Sequence, residues 1–456
     1  MKDSVWSFAE HVASVQRKDI PANAINSAKI FLLDSLGVGV VGSAAPYVDE
    51  LTTAGSASGV DPSRSARVLA SGKRLSPPAA ALVNAFQIHN SEFDCVHEAA
   101  VVHPMAVLLG AMTAFADAEG NVSGQDFITA LVLGVDVAAG LGVGSKSPLK
   151  FFRPATAGGF GAAAALARLK GLDTDGIVRS MSVAYGQMGG TMQAHTEGKA
   201  LLPMQVGFNA RNALLAADLA ALRVDAPVNI LDGPYGYYAN FEGEYDLAEV
   251  KQSLGKNWRI TEVAHKPFPS GRATHGIVDA ALQLQEMQNI NHTDVATVHC
   301  KVPSLTHRLI GRPAIEGMTP NYARLSGQYV VASALIGRTV DVADFYPDAI
   351  NDPNRLKLAK KISIEIDDNP DPNALTPVSV ELKTLDGRST DINLETIYGS
   401  PGKPMTLEAH LNKFRRNFQS ARPPLSSDQA EALIRGVDQI DTITDMRSVI
   451  DLCVAS

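Results

Sequence analysis

A mainly α chain, with a large helical bundle domain and a smaller α+β lid domain, is the fold class this sequence predicts, and three observations carry that expectation. From about residue 22 to 240, Ala- and Leu-rich segments of helical period alternate with short Gly/Pro breaks. After "HKPFPSGRATHG" the texture changes, and pieces with two-residue alternation appear. From "SSDQAEALIRGV" onward the pattern is helical again, with Ser426 and Ser427 as candidate N-caps.

In chain order, "AINSAKIFLLDSLGVGVVG", "PPAAALVNAFQIH", "MAVLLGAMTAFADAEG", "GQDFITALVLGVDVAAGLGVG", "GFGAAAALARLKG" and "NARNALLAADLAAL" each read as a helix. They are apolar over much of their surface, as buried bundle helices are, and their small residues permit close packing. "ATHGIVDAALQLQEM" follows as a helix, then "VATVHCKVP" and "KISIEID" as strands. "VSVELKTLDGRSTDINLE" is expected to form a hairpin turning at Asp386-Gly387. These pieces divide the chain into a discontinuous helical domain, 1–266 with 401–456, and an α+β lid over 267–400.

Composition narrows the function classes. The chain has 456 residues, 45% hydrophobic and 19% charged, with a formal net charge of −8 and no block of like charges, which argues against a nucleic-acid partner. Cys95, Cys300 and Cys453 are scattered and odd in number, as expected of a reducing compartment rather than a disulfide framework. The N-terminal stretch is amphipathic, without the apolar core of a secretion signal, and no run of eighteen uncharged apolar residues suggests a membrane span. A cytoplasmic, soluble protein is the expectation.

Chemistry concentrates in "NSEFDCVHEAAVVHP", where Glu92, Asp94, His97, Glu98 and His103 fall within a dozen residues. Pro104 suits a first helical turn, so His103 is placed at the N-cap, where unpaired N–H groups favour an anion. The same grammar recurs at Arg153-Pro154, while Lys199 lies in a polar loop ahead of an Ala-rich helix. His265, Lys266, Arg272 and His275 cluster at the expected domain boundary. Singly, each is an ordinary capping or solvated residue. Together, basic groups at helix starts and a domain junction in an acidic chain suggest a pocket for a small polyanion. A metal site from Cys95, His97 and His103 lacks zinc-ligand spacing, so no metal is expected. "GVGVVG" matches a dinucleotide fingerprint in letters only. It sits within a helical pattern rather than after a strand, and the glycines are expected to serve helix packing.

The chain resembles the MmgE/PrpD superfamily, whose members include 2-methylcitrate dehydratases, cis-aconitate decarboxylases and iminodisuccinate epimerases. The resemblance rests on "AKIFLLDSLGVGVVGS", "EFDCVHEAAVVHP", "RPATAGGFGAAAALARLKGL", the Lys199 loop, "APVNILDGPYGYYANF", "KPFPSGRATHGIVDA" and "RLSGQYVVASAL", in the family's order. It implies a helical domain with an α+β lid, a homodimer, a cleft active site and no cofactor. It also implies site roles for His103, Lys199, His275 and Tyr329. The chain departs from the lyase pattern Asp-Phe-Asp-Asp-Thr with Glu92-Phe93-Asp94-Cys95-Val96, and Arg153 stands where a histidine is common.

The family's chemistry begins at a carbon beside a carboxylate, where a base of near-neutral pKa abstracts a proton with cationic partners in a dry site. His103 and Lys199 are expected as proton-transfer residues, tuned by Asp94 and His97. Arg153, Lys266 and Arg272 are expected to hold carboxylates of a small di- or tricarboxylate, with His275 and Tyr329 in support. The altered motif favours a cofactor-independent epimerase of the iminodisuccinate type. The alternatives are a dehydratase or decarboxylase of the same superfamily and a non-catalytic polyanion-binding homologue.

Overall fold

The computed structural model describes residues 2–57 and 59–455 and has two hydrophobic cores. The larger is built by long helices: α1 (Ala22–Val41), α2 (Pro77–His89), α3 (Pro104–Glu119), α4 (Gly124–Gly144), α5 (Arg153–Leu169) and α6 (Leu201–Ala221). Ser123 caps α4 through the backbone N–H of Asp126, and Pro104 and Pro154 open α3 and α5. The helices approach closely because their contact faces are nearly bare. A Cβ at Gly110 of α3 would lie 2.5 Å from Ala85 of α2. The glycines of "GVGVVG" do the same work: Gly37 faces the Phe414 ring and Gly42 lies against the Gln87 carbonyl, where a Cβ would come within 1.9 Å. They are packing glycines and no strand precedes them.

Two helical stretches, Ala22–Ala44 and Gly124–Gly144, are long and apolar enough to cross a bilayer, but they lie 78% and 94% buried inside this bundle.

The smaller core packs α7 (His275–Met287) and α8 (Gly327–Gly337) on a four-stranded sheet. The strands are β1 (Val295–Val302), β2 (Ile362–Ile366), β3 (Val378–Thr384) and β4 (Ser389–Leu394), in spatial order β2-β1-β3-β4. β1 and β2 are parallel, and the other pairs are antiparallel. Asp386-Gly387 turns the β3–β4 hairpin, with Gly387 at φ 89°. On β3 the residues Val378, Val380, Leu382 and Thr384 alternate inward. The chain then returns to the first core through α9 (Leu407–Gln419), whose Phe414 and Phe418 are fully buried against α1. All three cysteines are free and buried.

The two cores meet at residues 263–275. Val263–Ala264 pairs antiparallel with Val96–His97, tying the acidic loop of the bundle to the junction strand.

Candidate active site

The loop from Asn90 to His103 forms one wall of a small cleft, about 70 Å³ in volume, at this junction. Its backbone is held in unusual conformations, since Glu92 and Val101 both have φ of 51°. A β-branched residue there is strained, and the ladder to Val263–Ala264 helps hold it. Glu92, Glu98, His103, His195 and Arg272 supply the polar lining; Val96, Val101, Phe152, Ile310 and Leu325 are among the apolar walls.

His103 is the N-cap of α3, as the His-Pro pair predicts, although its side chain makes no capping hydrogen bond. Asp94 lies fully buried between two imidazoles. Its Oδ2 is 3.0 Å from His89 Nδ1 and 3.2 Å from His103 Nδ1, the latter poorly aligned for a hydrogen bond. Burial opposes its charge, but the two histidines outweigh this and hold the carboxyl well below the usual range. Burial also disfavours a charged His89, yet Asp94 prevails and raises its pKa. At His103 burial and the nearby Lys266 prevail over Asp94, and its pKa is lowered. One ring thus favours the proton and its neighbour sheds it, with a carboxylate between them.

Lys266 is completely buried, and its Nζ lies 2.8 Å from Glu92 and 4.0 Å from Asp94. Burial would raise the Glu92 pKa, but Lys266 and the two histidines bring it to about 2. Arg312 and Arg324 come from the lid and also lie in the field of Glu92. Burial lowers both guanidinium pKa values, that of Arg324 to about 10. Each keeps a buried nitrogen without a partner among the described residues, Nη1 of Arg312 and Nε of Arg324. His195 sits 3.3 Å from Arg312, and burial with that positive neighbour holds its pKa down at about 4. His89, Glu92, His195, Arg312 and Arg324 were not among the expected site residues. His89 had a local signal in its five-residue spacing from Asp94, and Arg324 opens the stretch "RLSGQYVVASAL", whereas Arg312 had none.

Arg272 reaches the cleft as expected. Its Nε donates to Glu98 at 2.7 Å, and its Nη1 donates to the carbonyls of His265 and Tyr398. His275 does not line the cleft. Its ring lies buried behind Arg272, with Nδ1 3.3 Å from Arg272 Nη1 and Nε2 3.2 Å from the Ser270 carbonyl. One tautomer, protonated on Nε2, satisfies both contacts.

Four expected site residues lie elsewhere. Arg153 is buried in a two-point ion pair with Glu242, at 2.8 Å through Nε and Nη2, and also donates to the Ala100 carbonyl. It braces the acidic loop from behind and has no free edge for a substrate carboxylate. His97 bonds Glu262 at 2.7 Å and accepts from the Ala100 N–H, fixing the loop's turn rather than facing the cleft. Tyr329 is in the lid core, donating to the Asp344 carbonyl beneath Arg355. Lys199 is exposed and lines a separate groove with Asn90 and Arg324. The positions of Arg153, His97 and Tyr329 follow from tertiary partners that the local sequence does not reveal.

Among the described residues, two groups have metal-like spacing: His89, Asp94 and His103, and the buried set Asp34, His265 and His410. A lysine already supplies positive charge to each, Lys266 at 4.0 Å from Asp94 and Lys413 at 2.8 Å from Asp34.

The MmgE/PrpD N-terminal domain matches residues 7–249, and the MmgE/PrpD C-terminal domain matches residues 268–439. The cis-aconitate decarboxylases of Mus musculus and Homo sapiens are each 28% identical over 98% of this chain, covering 92% and 93% of their own lengths. The cis-aconitate decarboxylase of Aspergillus terreus is 27% identical over the whole chain and 97% of its own length. Its helical core, its α+β part and both matched domains place this chain in the MmgE/PrpD superfamily of enzymes.

Proposed function

We propose that this protein is a lyase that removes carbon dioxide from a small tricarboxylate of the cis-aconitate type, without a cofactor. The observation that carries this reading is the junction cleft itself. It gathers Glu92, His103, His195 and Arg272 around one small volume, with Lys266 buried behind Glu92. End-to-end similarity to decarboxylases supports the same reaction class. The altered "EFDCV" motif had favoured epimerisation, but nothing in the cleft geometry favours that outcome over the lyase.

The chemistry fits the groups available. In cis-aconitate one carboxylate sits on a methylene carbon next to the double bond. Breaking that C–C bond releases carbon dioxide, and its electron pair forms a new double bond to the central carbon. The former double-bond pair moves to the far carbon, beside its carboxylate, where it must take up one proton. A trianion and a proton thus give a dianion and carbon dioxide. Arg272 would hold a carboxylate, and the buried charge of Lys266 behind Glu92 would offset negative charge that develops in the cleft. His103 would deliver the proton. Its lowered pKa in the empty site rises when an anion binds beside it, so it gains its proton as the substrate enters. Asp94 and the proton-rich His89 behind it would orient the ring and resupply it.

To test this, the purified protein is incubated in deuterium oxide with cis-aconitate, 2-methylcitrate and iminodisuccinate, and each mixture is followed by NMR. Carbon dioxide loss from cis-aconitate, with one deuteron gained, is the expected result. Exchange with inversion and no bond cleavage would transfer the assignment to the epimerases. A homodimer and a cytoplasmic location belong to the same proposal, and sedimentation velocity checks the first.

A further inference from the structure

The Arg272 guanidinium is saturated on one side and half used on the other. Its Nη1 is taken by the His265 and Tyr398 carbonyls at 3.1 and 2.8 Å, which fix its plane from behind. Its outer edge, Nε with Nη2, is the geometry that takes a carboxylate through two parallel hydrogen bonds. Here Nε meets a single oxygen of Glu98 at 2.7 Å, and Nη2 is buried with no partner among the described residues. A buried N–H left unpaired is costly, so this edge is not at its best with Glu98. The two side chains also differ in freedom. That of Arg272 is 3% exposed, whereas that of Glu98 is 26% exposed. Glu98 lines the cleft and also a neighbouring groove bordered by Asn373, Thr376 and Ser400, which can solvate a carboxylate that swings out. Asp371 and Glu395 border the same groove and disfavour a long stay there.

We infer that Glu98 is a placeholder carboxylate: it occupies half of the Arg272 fork in the empty site, yields both nitrogens to a substrate carboxylate, and returns when product leaves. This rests on the reading of the cleft as a tricarboxylate site and names the residue that tunes its affinity. The competent state, with the fork open, is a minor one in the free protein, so apparent affinity is reduced by its population. Glu98 is therefore a specificity-tuning residue, because only a ligand with a carboxylate at this point displaces it.

The test is calorimetric titration of the full-length protein with propane-1,2,3-tricarboxylate, a saturated and unreactive probe, using wild type, Glu98→Ala, Glu98→Gln and Arg272→Lys. Opening the fork in Glu98→Ala is expected to tighten binding about tenfold. Glu98→Gln, which keeps a neutral acceptor, falls between Glu98→Ala and wild type. KM falls in parallel while kcat changes little, a split that a merely structural role would not give. Arg272→Lys weakens binding. Unchanged or weaker binding in both Glu98 variants, with melting intact and Arg272→Lys still impaired, overturns the placeholder and leaves the cleft reading standing. No binding of the probe to wild type or any variant overturns both.

Discussion

His103 Nδ1 stands 3.2 Å from Asp94 Oδ2, and this contact places a titratable ring at the start of α3 facing the junction cleft. Asp94 is fully buried, and its nearest charged partners are His89 and His103, with Lys266 farther off at 4.0 Å. Asp94→Asn keeps the shape but removes the charge that orients both rings. The expected result is a fall in kcat of about 10²- to 10⁴-fold, with a smaller change in KM. His103→Gln should match it in magnitude, and the double variant should lose little more than either alone. Steady-state kinetics on the three proteins checks this.

Lys266 and Glu92 form a buried pair at 2.8 Å, so removing one partner strands the other. Lys266→Met is expected to cost about 3–5 kcal/mol in unfolding free energy as well as activity. Adding Glu92→Gln removes the stranded charge and should recover part of the stability but not the activity, a coupling that a double-mutant cycle in urea measures.

Acid should destabilise the fold over a defined window. Burial lowers His265 to about 3 and, with Arg312, His195 to about 4, both from an ordinary 6.5. Between those values the unfolded chain binds more protons than the folded one, so stability falls as pH falls below about 6.5. Glu92, held at about 2 against burial by Lys266 and the histidines, adds a second loss of the same sign from about pH 4.5 downward. Melting temperatures should decline from about pH 6.5 down to 4, since the lowered histidines and Glu92 together outweigh the opposite contribution of His89, and His265→Asn should flatten the slope at its upper end. A pH-independent Tm across that range would contradict the placement of these groups.

Arg153 is expected to be a stability residue. Arg153→Met leaves the Glu242 carboxylate unpaired beneath Tyr237 and should cost about 3–5 kcal/mol. Double replacement with Glu242→Gln should restore most of the loss. If soluble protein is recovered, its KM should stay close to wild type, whereas a substrate-binding arginine would raise KM strongly.

Much of the fold was legible in the chain because the relevant signals are local. Two-residue alternation marks β1 and β3, Asp386-Gly387 marks their neighbouring hairpin, and the fingerprint-like "GVGVVG" betrayed itself by lying inside a helical period. The site was legible where its residues share a short segment, as Asp94 and His103 do, or sit at the junction, as Lys266 and Arg272 do. It was obscure where a role depends on a distant partner. Arg153 looks the same in sequence whether it meets a substrate or Glu242, which is 89 positions away. Arg312 comes near the cleft only through His195, 117 positions away, and Arg324 lines the separate groove beside Lys199. His275 was placed in the right neighbourhood, but its position behind Arg272 is a matter of tertiary packing.

The central claim is that a tricarboxylate loses one carboxyl group in this cleft and takes up a proton in return. It is tested most directly with cis-aconitate carrying carbon-13 in the carboxylate of its methylene arm, incubated with the enzyme in deuterium oxide. The label is expected to leave as carbon dioxide while the remaining dicarboxylate gains a terminal methylene and a single deuteron, at a rate that collapses in His103→Gln. Retention of the label in the organic acid, with or without deuterium exchange, would contradict it.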